Sequence, residues 1–284
     1  MPELPPRELK RGSLCEAPPY PSPASAPKAG EGYGGGLGGI GSSNMPYELY
    51  YWAGIQGRGE FVRLALEEAG ADYVDVAREA GGEGAMMRLL DGEEIEHPPF
   101  APPYLRAGRL LIGQTANILL YLGPRHDLVP SSEAGRLWAH QLQLTIADLV
   151  DEAHDTHHPI ASSLYYEDQR PEAKRRTQDF LKLRVPKYLG YFEKVLARNK
   201  ARGGHLVGAK LSYPDLSLFQ VVAGLRYAFP RAMAQLEPKY QRVVAVHGRV
   251  AARPRIAAYL GSNRRIAFNE HGIFRHYPEL DSEG

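Results

Sequence analysis

Two stretches constrain this chain more than anything else in it. Residues 47–70 begin Tyr-Glu-Leu-Tyr-Tyr-Trp, pass through a glycine-rich turn from Ala53 to Gly59, and continue from Glu60 with apolar residues at helical spacing up to Gly70. Residues 102–122 begin Pro-Pro-Tyr-Leu, turn at Arg106-Ala-Gly108, return through Leu-Leu-Ile to Gly113, and run from Gln114-Thr115 into a second apolar helical pattern that Gly123-Pro124 closes. The order is therefore strand, turn, helix, then an X-Pro strand, a hairpin and another helix. Residues 73–76 supply a further strand between these blocks, and residues 78–99, glycine-rich and acidic, are expected to be irregular.

After about Ser131 the pattern changes to helix throughout. Residues 133–155, 171–198, 215–229 and 238–250 carry apolar positions three and four apart. Ser212-Tyr-Pro-Asp215 is a capping box with proline in the first turn, a helix-start signal to which no chemistry needs to be assigned. The expected fold class is α/β plus all-α: a small domain with a mixed four-stranded sheet over residues 45–124 and a helical bundle over 131–261. Residues 262–284 form a tail that either covers the site or packs on the surface.

Composition excludes several function classes. The 284-residue chain carries a net charge of +1, which gives no electrostatic field for nucleic acid, and it contains no apolar run long enough to cross a membrane. Its one cysteine, Cys15, rules out a disulfide framework, a cysteine zinc site and a Cys-x-x-Cys redox centre. A reducing, cytoplasmic setting follows, with an organellar address on the N-terminal extension left open. Residues 1–44, rich in Pro, Gly, Ser and Ala, cannot bury enough apolar surface to order themselves and are expected to be disordered. Gly36-Leu-Gly38-Gly-Ile-Gly41 within them matches a dinucleotide fingerprint only in letters, because a strand rather than a helix follows it. Met45 is where a folded domain would begin.

The strand–turn–helix block raises the question of a hydroxyl at the end of the first strand. Side chains alternate along a strand, so Tyr51 and Tyr50 face opposite ways, and only one of them can serve a common site. Leu49-Tyr50-Tyr51-Trp52 followed by Gly57-Arg58-Gly59-Glu60 resembles the tyrosine-type, sigma-like glutathione S-transferases, as does the thioredoxin-like order of the first domain. The resemblance covers about residues 46–260. It implies conjugation of glutathione, as co-substrate, to small apolar electrophiles, with Tyr51 and Arg58 as catalytic residues and no metal required.

The resemblance also implies a binding set for glutathione. Gln114 and Thr115 start a helix whose free N–H groups form an anion site for the γ-glutamyl carboxylate. Trp52, Pro102, Pro103 and Tyr104 flank the cysteinyl part. Pro103 matches the cis-proline of the fold, and Pro102 departs from the family because it has no N–H to offer glutathione. Arg88 and His97 are candidates for the glycyl carboxylate. Asp148, Asp151, Glu152 and Asp155 share one helix face, and Asp151 or Glu152 is implied to reach the glutathione ammonium across a homodimer axis. Isomerase or peroxidase chemistry on the same thiolate, and a non-catalytic scaffold, remain alternatives.

His154 and His158, one helical turn apart, could pair on a transition metal, but the spacing offers no third ligand, and Pro159 ends the helix there. The metal assignment is therefore none. The cluster is instead expected to line a substrate cleft with Tyr165 and Tyr166.

Overall fold

A computed structural model describes residues 46–92 and 95–281. The readings of Cys15, of the glycine tract 36–41 and of Met45 lie outside the described residues.

Strands β1 (Tyr47–Tyr50), β2 (Tyr73–Asp75), β3 (Tyr104–Ala107) and β4 (Leu110–Gly113) form one sheet in the order β2-β1-β3-β4. β1 pairs parallel to β2 and antiparallel to β3, and β3–β4 is the expected hairpin. Alternation along β1 divides the faces. Leu49 enters the main core with Leu105 and residues of helices α1 (Gly59–Ala69) and α3 (Thr115–Arg125), while Tyr50 pairs with Tyr104 over Ala77 and Met86 on the other side.

Three expectations need correction. Residues 82–91, expected to be irregular, form helix α2 (Gly82–Asp91) after a short 3₁₀ turn at Val76–Arg78. Its buried Met86, with Ala85, Leu89 and Leu90, recurs at helical spacing, and Gly82 and Gly84 mask the signal. Gly82 is itself forced by packing, since a Cβ there would lie 1.7 Å from the Val76 carbonyl oxygen. Helix α3 runs on through Gly123 and Pro124 to Arg125: a proline in the last turn removes one backbone donor and does not stop the helix. The long helix expected over 171–198 is α5 (Arg170–Asp179), a π turn at Phe180–Arg184, and α6 (Val185–Arg198). The π turn sits just before Pro186, whose missing N–H breaks the regular ladder.

Helix α4 (Glu133–Asp155) begins on Ser132, whose Oγ accepts from the Gly135 N–H at 3.2 Å, and α7 (Tyr213–Ala228) is the central helix of the second part, buried along nearly its whole length. Asp215 at its start is fully buried and accepts from the Ser212 N–H (2.8 Å), the Ser212 hydroxyl (2.7 Å) and the Leu206 N–H (2.8 Å). Helices α8 (Pro230–Leu236), α9 (Gln241–Ala251) and α10 (Pro254–Leu260) complete the bundle. No helix among the described residues is long and apolar enough to cross a membrane.

The C-terminal segment is built into the molecule. Arg264 forks onto Glu67 (2.6 and 2.9 Å), and Arg265 reaches Glu60 and Gln220. Asn269 donates to the Gly54 carbonyl at 2.9 Å, the His157 ring meets the Ile273 carbonyl at 2.8 Å, and Tyr277 stacks on Tyr166. Asp281 accepts from the N–H groups of Arg231 and Ala232.

Candidate active site at the end of the first strand

Tyr51 stands one residue past β1, and the loop to α1 is folded around its ring. A Cβ on Gly57 would lie 2.0 Å from the Tyr51 hydroxyl, and one on Gly59 would lie 2.5 Å from its Cγ. Gly57 also holds φ at +43°, a region that favours glycine. The Arg58 N–H between them donates to the Tyr51 hydroxyl at 2.9 Å. That bond occupies an oxygen lone pair and leaves the hydroxyl proton available to a further acceptor. Tyr51 is 5% exposed. Burial raises its pKa, outweighing the opposing pull of the Arg58 amide and of the Arg58 and Arg63 guanidiniums, so the phenol stays protonated.

The loop has a buried polar foundation. Glu60 and Arg63 are fully buried and paired at 3.3 Å, and Arg63 continues to Asp75 at 2.7 Å. Glu60 also accepts from the Tyr259 hydroxyl at 2.7 Å and from Arg265. Gln56 accepts from Gln220 Nε2 at 2.7 Å and donates to the Ile266 carbonyl. Gln56 does not stand out as a site residue in the sequence, because it acts through contacts 164 and 210 residues away along the chain.

Tyr50 lies on the opposite face. Its ring stacks on Tyr104 with centroids 4.8 Å apart, and its hydroxyl donates to Glu48 at 2.6 Å. Burial and Glu48 push its pKa up to about 12. Tyr104 is fully buried, and its hydroxyl donates to the Met86 carbonyl, so its side chain belongs to the packing under α2. Trp52 is 40% exposed beside the loop. The Pro102–Pro103 peptide bond is cis, immediately before β3. Arg88 is exposed on α2, and His97 is exposed in the following loop beside Glu96.

At the start of α3, Gln114 holds φ at +69°. A non-glycine side chain in this region carries backbone strain, and such residues gather at functional sites. Gln114 is exposed, and it turns the chain so that the first N–H groups of α3 open the helix beside Thr115. The Thr115 hydroxyl donates to the Arg58 carbonyl at 3.3 Å. Arg58 is thus bonded through its backbone N–H to Tyr51 and through its carbonyl to Thr115.

Its guanidinium completes the cluster by pairing with Asp151 of α4. Asp148 and Asp155 are exposed on the same side. Glu152 is drawn elsewhere. It accepts from Arg184 (2.6–3.0 Å), from Tyr188 (2.8 Å) and from Arg176 (3.3 Å), and the Arg184 hydrogen bonds lead in holding its carboxyl down to about 2. Of the two acids named for the ammonium, Glu152 is therefore consumed by cations of its own chain and Asp151 stands at the cluster. Tyr166, expected beside the cleft, is buried under Tyr277, with its hydroxyl on Glu279 at 3.0 Å, while Tyr165 is exposed.

Residues 154–263 match the family model described as "Glutathione S-transferase, C-terminal domain". A glutathione S-transferase of Plasmodium falciparum is 25% identical over 190 residues, covering 65% of this chain and 82% of that protein. Glutathione S-transferase P 1 of Xenopus laevis is 26% identical over 227 residues, covering 78% and 95%. The solved structure of prostaglandin synthase D of Nilaparvata lugens shares the fold, with a TM-score of 0.60 at 21% identity, covering 77% of this chain and 98% of that one. With a four-stranded thioredoxin-like sheet, a helical second part and relatives matched across most of their length, the chain is similar in fold and sequence to the glutathione S-transferases.

Proposed function

We propose that the protein is a tyrosine-type glutathione transferase in which the Tyr51 hydroxyl stabilises the glutathione thiolate. The observation that carries this reading is the position of Arg58, bonded to the Tyr51 hydroxyl, to Thr115 and to Asp151 at once. One residue links the group suited to sulfur with the two suited to the γ-glutamyl end.

The chemistry follows from these positions. A thiol has a pKa near 8.5 and is a poor nucleophile until it ionises. Lowering that value by two units takes about 2.7 kcal/mol of preferential thiolate stabilisation. A protonated Tyr51 donating to sulfur supplies a charge-assisted bond of about that size, reinforced by the positive Arg58 beside it. The thiol proton leaves to solvent. The sulfur lone pair then forms the S–C bond to the electrophile, and the leaving group departs with the electrons of the bond it loses. The α3 N-terminus with Gln114 and Thr115 would hold the γ-glutamyl carboxylate, and Asp151 would reach across the proposed homodimer axis to the ammonium of the neighbouring subunit's glutathione.

The proposed substrates are small apolar electrophiles, taken on the helical side where Trp52 is exposed. The proposed assembly is a homodimer through α4. This helix exposes Leu137 (65%) and Leu144 (48%) on the stripe that continues into Asp148 and Asp151. A cytoplasmic setting, where glutathione is kept reduced, suits the reaction.

One observation favours a second reading, a glutathione-binding or scaffold protein without turnover: Pro102 has no N–H for the ligand backbone, at a cost of about 1 kcal/mol. The test is the glutathione-dependent rate with a chloronitrobenzene, set beside calorimetric titration of glutathione. A saturable rate well above background supports the transferase. Binding without turnover supports the scaffold, and absence of both at millimolar glutathione contradicts each reading.

A further inference from the structure

The end of α4 gathers three imidazoles that the glutathione chemistry leaves unused. The N–H groups of His157 and His158 both donate to the His154 carbonyl, at 3.2 and 3.3 Å, so the chain closes a tight turn as the helix stops. The Thr156 hydroxyl donates to the Ala153 carbonyl (2.6 Å) and the Thr177 hydroxyl to the Thr156 carbonyl (3.1 Å), which fixes the turn against α5. The closure supplies the third ring that the spacing of His154 and His158 alone could not. Ring centroids stand 4.9 Å apart for His154–His157, 4.9 Å for His154–His158 and 4.7 Å for His157–His158. One nitrogen from each ring lies within 4.8 Å of the other two.

The hydrogen bonds identify where the ring protons sit. His157 is 1% exposed, and its Nε2 faces the Ile273 carbonyl at 2.8 Å. A carbonyl only accepts, so Nε2 carries the proton and Nδ1 offers a lone pair. That Nδ1 accepts from His158 Nδ1 at 2.5 Å, and the proton between them is the one a bound metal would displace. A ring N–H anchored on a backbone carbonyl with the other nitrogen turned to a shared centre is the arrangement that orients histidine ligands on a metal.

We propose that His154, His157 and His158 form a three-imidazole site for a divalent transition metal of borderline softness, with zinc as the reference ion and one coordination position left open. Tetrahedral zinc with Zn–N near 2.0–2.1 Å needs ligand nitrogens about 3.3 Å apart. The present separations, from 2.5 Å up to 4.8 Å, straddle that value, so small ring rotations suffice. Three imidazoles without an oxygen donor disfavour calcium and magnesium.

Because His157 is bonded to Ile273, a bound ion would also tie α4 to the C-terminal segment that touches the Gly54 loop through Asn269. The test uses the full chain without a histidine tag, titrated with zinc by calorimetry. Single variants His154→Gln and His158→Gln, both at partly exposed positions, are compared with His271→Gln as a control outside the cluster. The expected result is one zinc per chain, affinity reduced at least tenfold in each cluster variant and unchanged in the control, and a raised unfolding temperature of the wild type in zinc. Cobalt added to the wild type provides a measurement that does not depend on variants folding, with intense visible bands of tetrahedral coordination expected. Absence of zinc binding at about 100 μM, undiminished binding in both cluster variants, or a weak octahedral cobalt spectrum would overturn the proposal.

Discussion

The Arg58 N–H donates to the Tyr51 hydroxyl at 2.9 Å, and the glycines on either side of Arg58 are the only residue type that fits against the same ring. Three successive residues are thus dedicated to holding one phenol. The bond fixes the oxygen, and the burial that raises the Tyr51 pKa keeps its proton in place for an anionic partner. The account's central claim is that this partner is the glutathione sulfur.

Gly57→Ala tests the fit directly. A methyl group placed 2.0 Å from the hydroxyl oxygen, on a backbone with φ +43°, must displace Tyr51 or the loop. The expected outcome is a loss of about 1–3 kcal/mol in stability and a fall in kcat/KM of more than tenfold. Gly54→Ala is the matched control, since a Cβ there meets nothing within 4 Å, and it should leave both quantities unchanged. Urea unfolding with steady-state kinetics on both variants reads the difference.

Thr115 is expected to act through its hydroxyl. Thr115→Ala removes the bond to the Arg58 carbonyl that ties the start of α3 to the Tyr51 loop, and should raise the KM for glutathione about tenfold, or about 1.4 kcal/mol. Thr115→Ser keeps the hydroxyl and should restore most of that loss. Equal defects in the two variants would assign Thr115 to packing alone.

Arg265→Met probes the buried foundation of the loop. It leaves the fully buried Glu60 with Arg63 and Tyr259 only and takes the donor from Gln220 Oε1. Removing one partner of a buried pair costs about 3 kcal/mol. Hydrogen exchange in the Gly54–Gly59 loop should accelerate with it, because Gln56 and Asn269 hold that loop to the same segment.

Much of this was legible in the sequence, and the limits have physical causes. Alternation along β1 separates Tyr51 from Tyr50, and the Gln114-Thr115 pair and the Ser212–Asp215 box announce their helix starts where they occur. These are local signals. Helix α2 was hidden by its own glycines, and the positive φ of Gln114 is a backbone property that no side-chain pattern carries. Glu152 shares a helix face with Asp151 but is turned aside by Arg176 and Arg184, which lie 24 and 32 residues further along the chain. The third histidine of the cluster depended on the exact turn made after α4, and Arg265 on folding that returns the C-terminal segment to α1. Spacing alone reports none of these.

The pH dependence of stability has a specific contributor in α9. His247 stacks on Phe219, accepts from Arg226 at 3.0 Å and has its pKa lowered by burial to about 4. The unfolded chain takes up this proton near 6.5 and the folded one only near 4. The stability it contributes is therefore complete above pH 6.5 and is lost as pH falls toward 4, with a slope of about 1.4 kcal/mol per pH unit at most. Urea unfolding of His247→Asn between pH 7 and 4 should show a shallower acid loss than the wild type.

The most direct measurement is the pKa of glutathione's thiol when bound, read from thiolate ultraviolet absorbance for the wild type, Tyr51→Phe and Tyr50→Phe. The wild type should bring it about two units below the free value near 8.5, Tyr51→Phe should return most of that shift, and Tyr50→Phe, whose hydroxyl is committed to Glu48, should return none. A thiol pKa indifferent to Tyr51→Phe, or one restored by Tyr50→Phe instead, would contradict the role given to Tyr51.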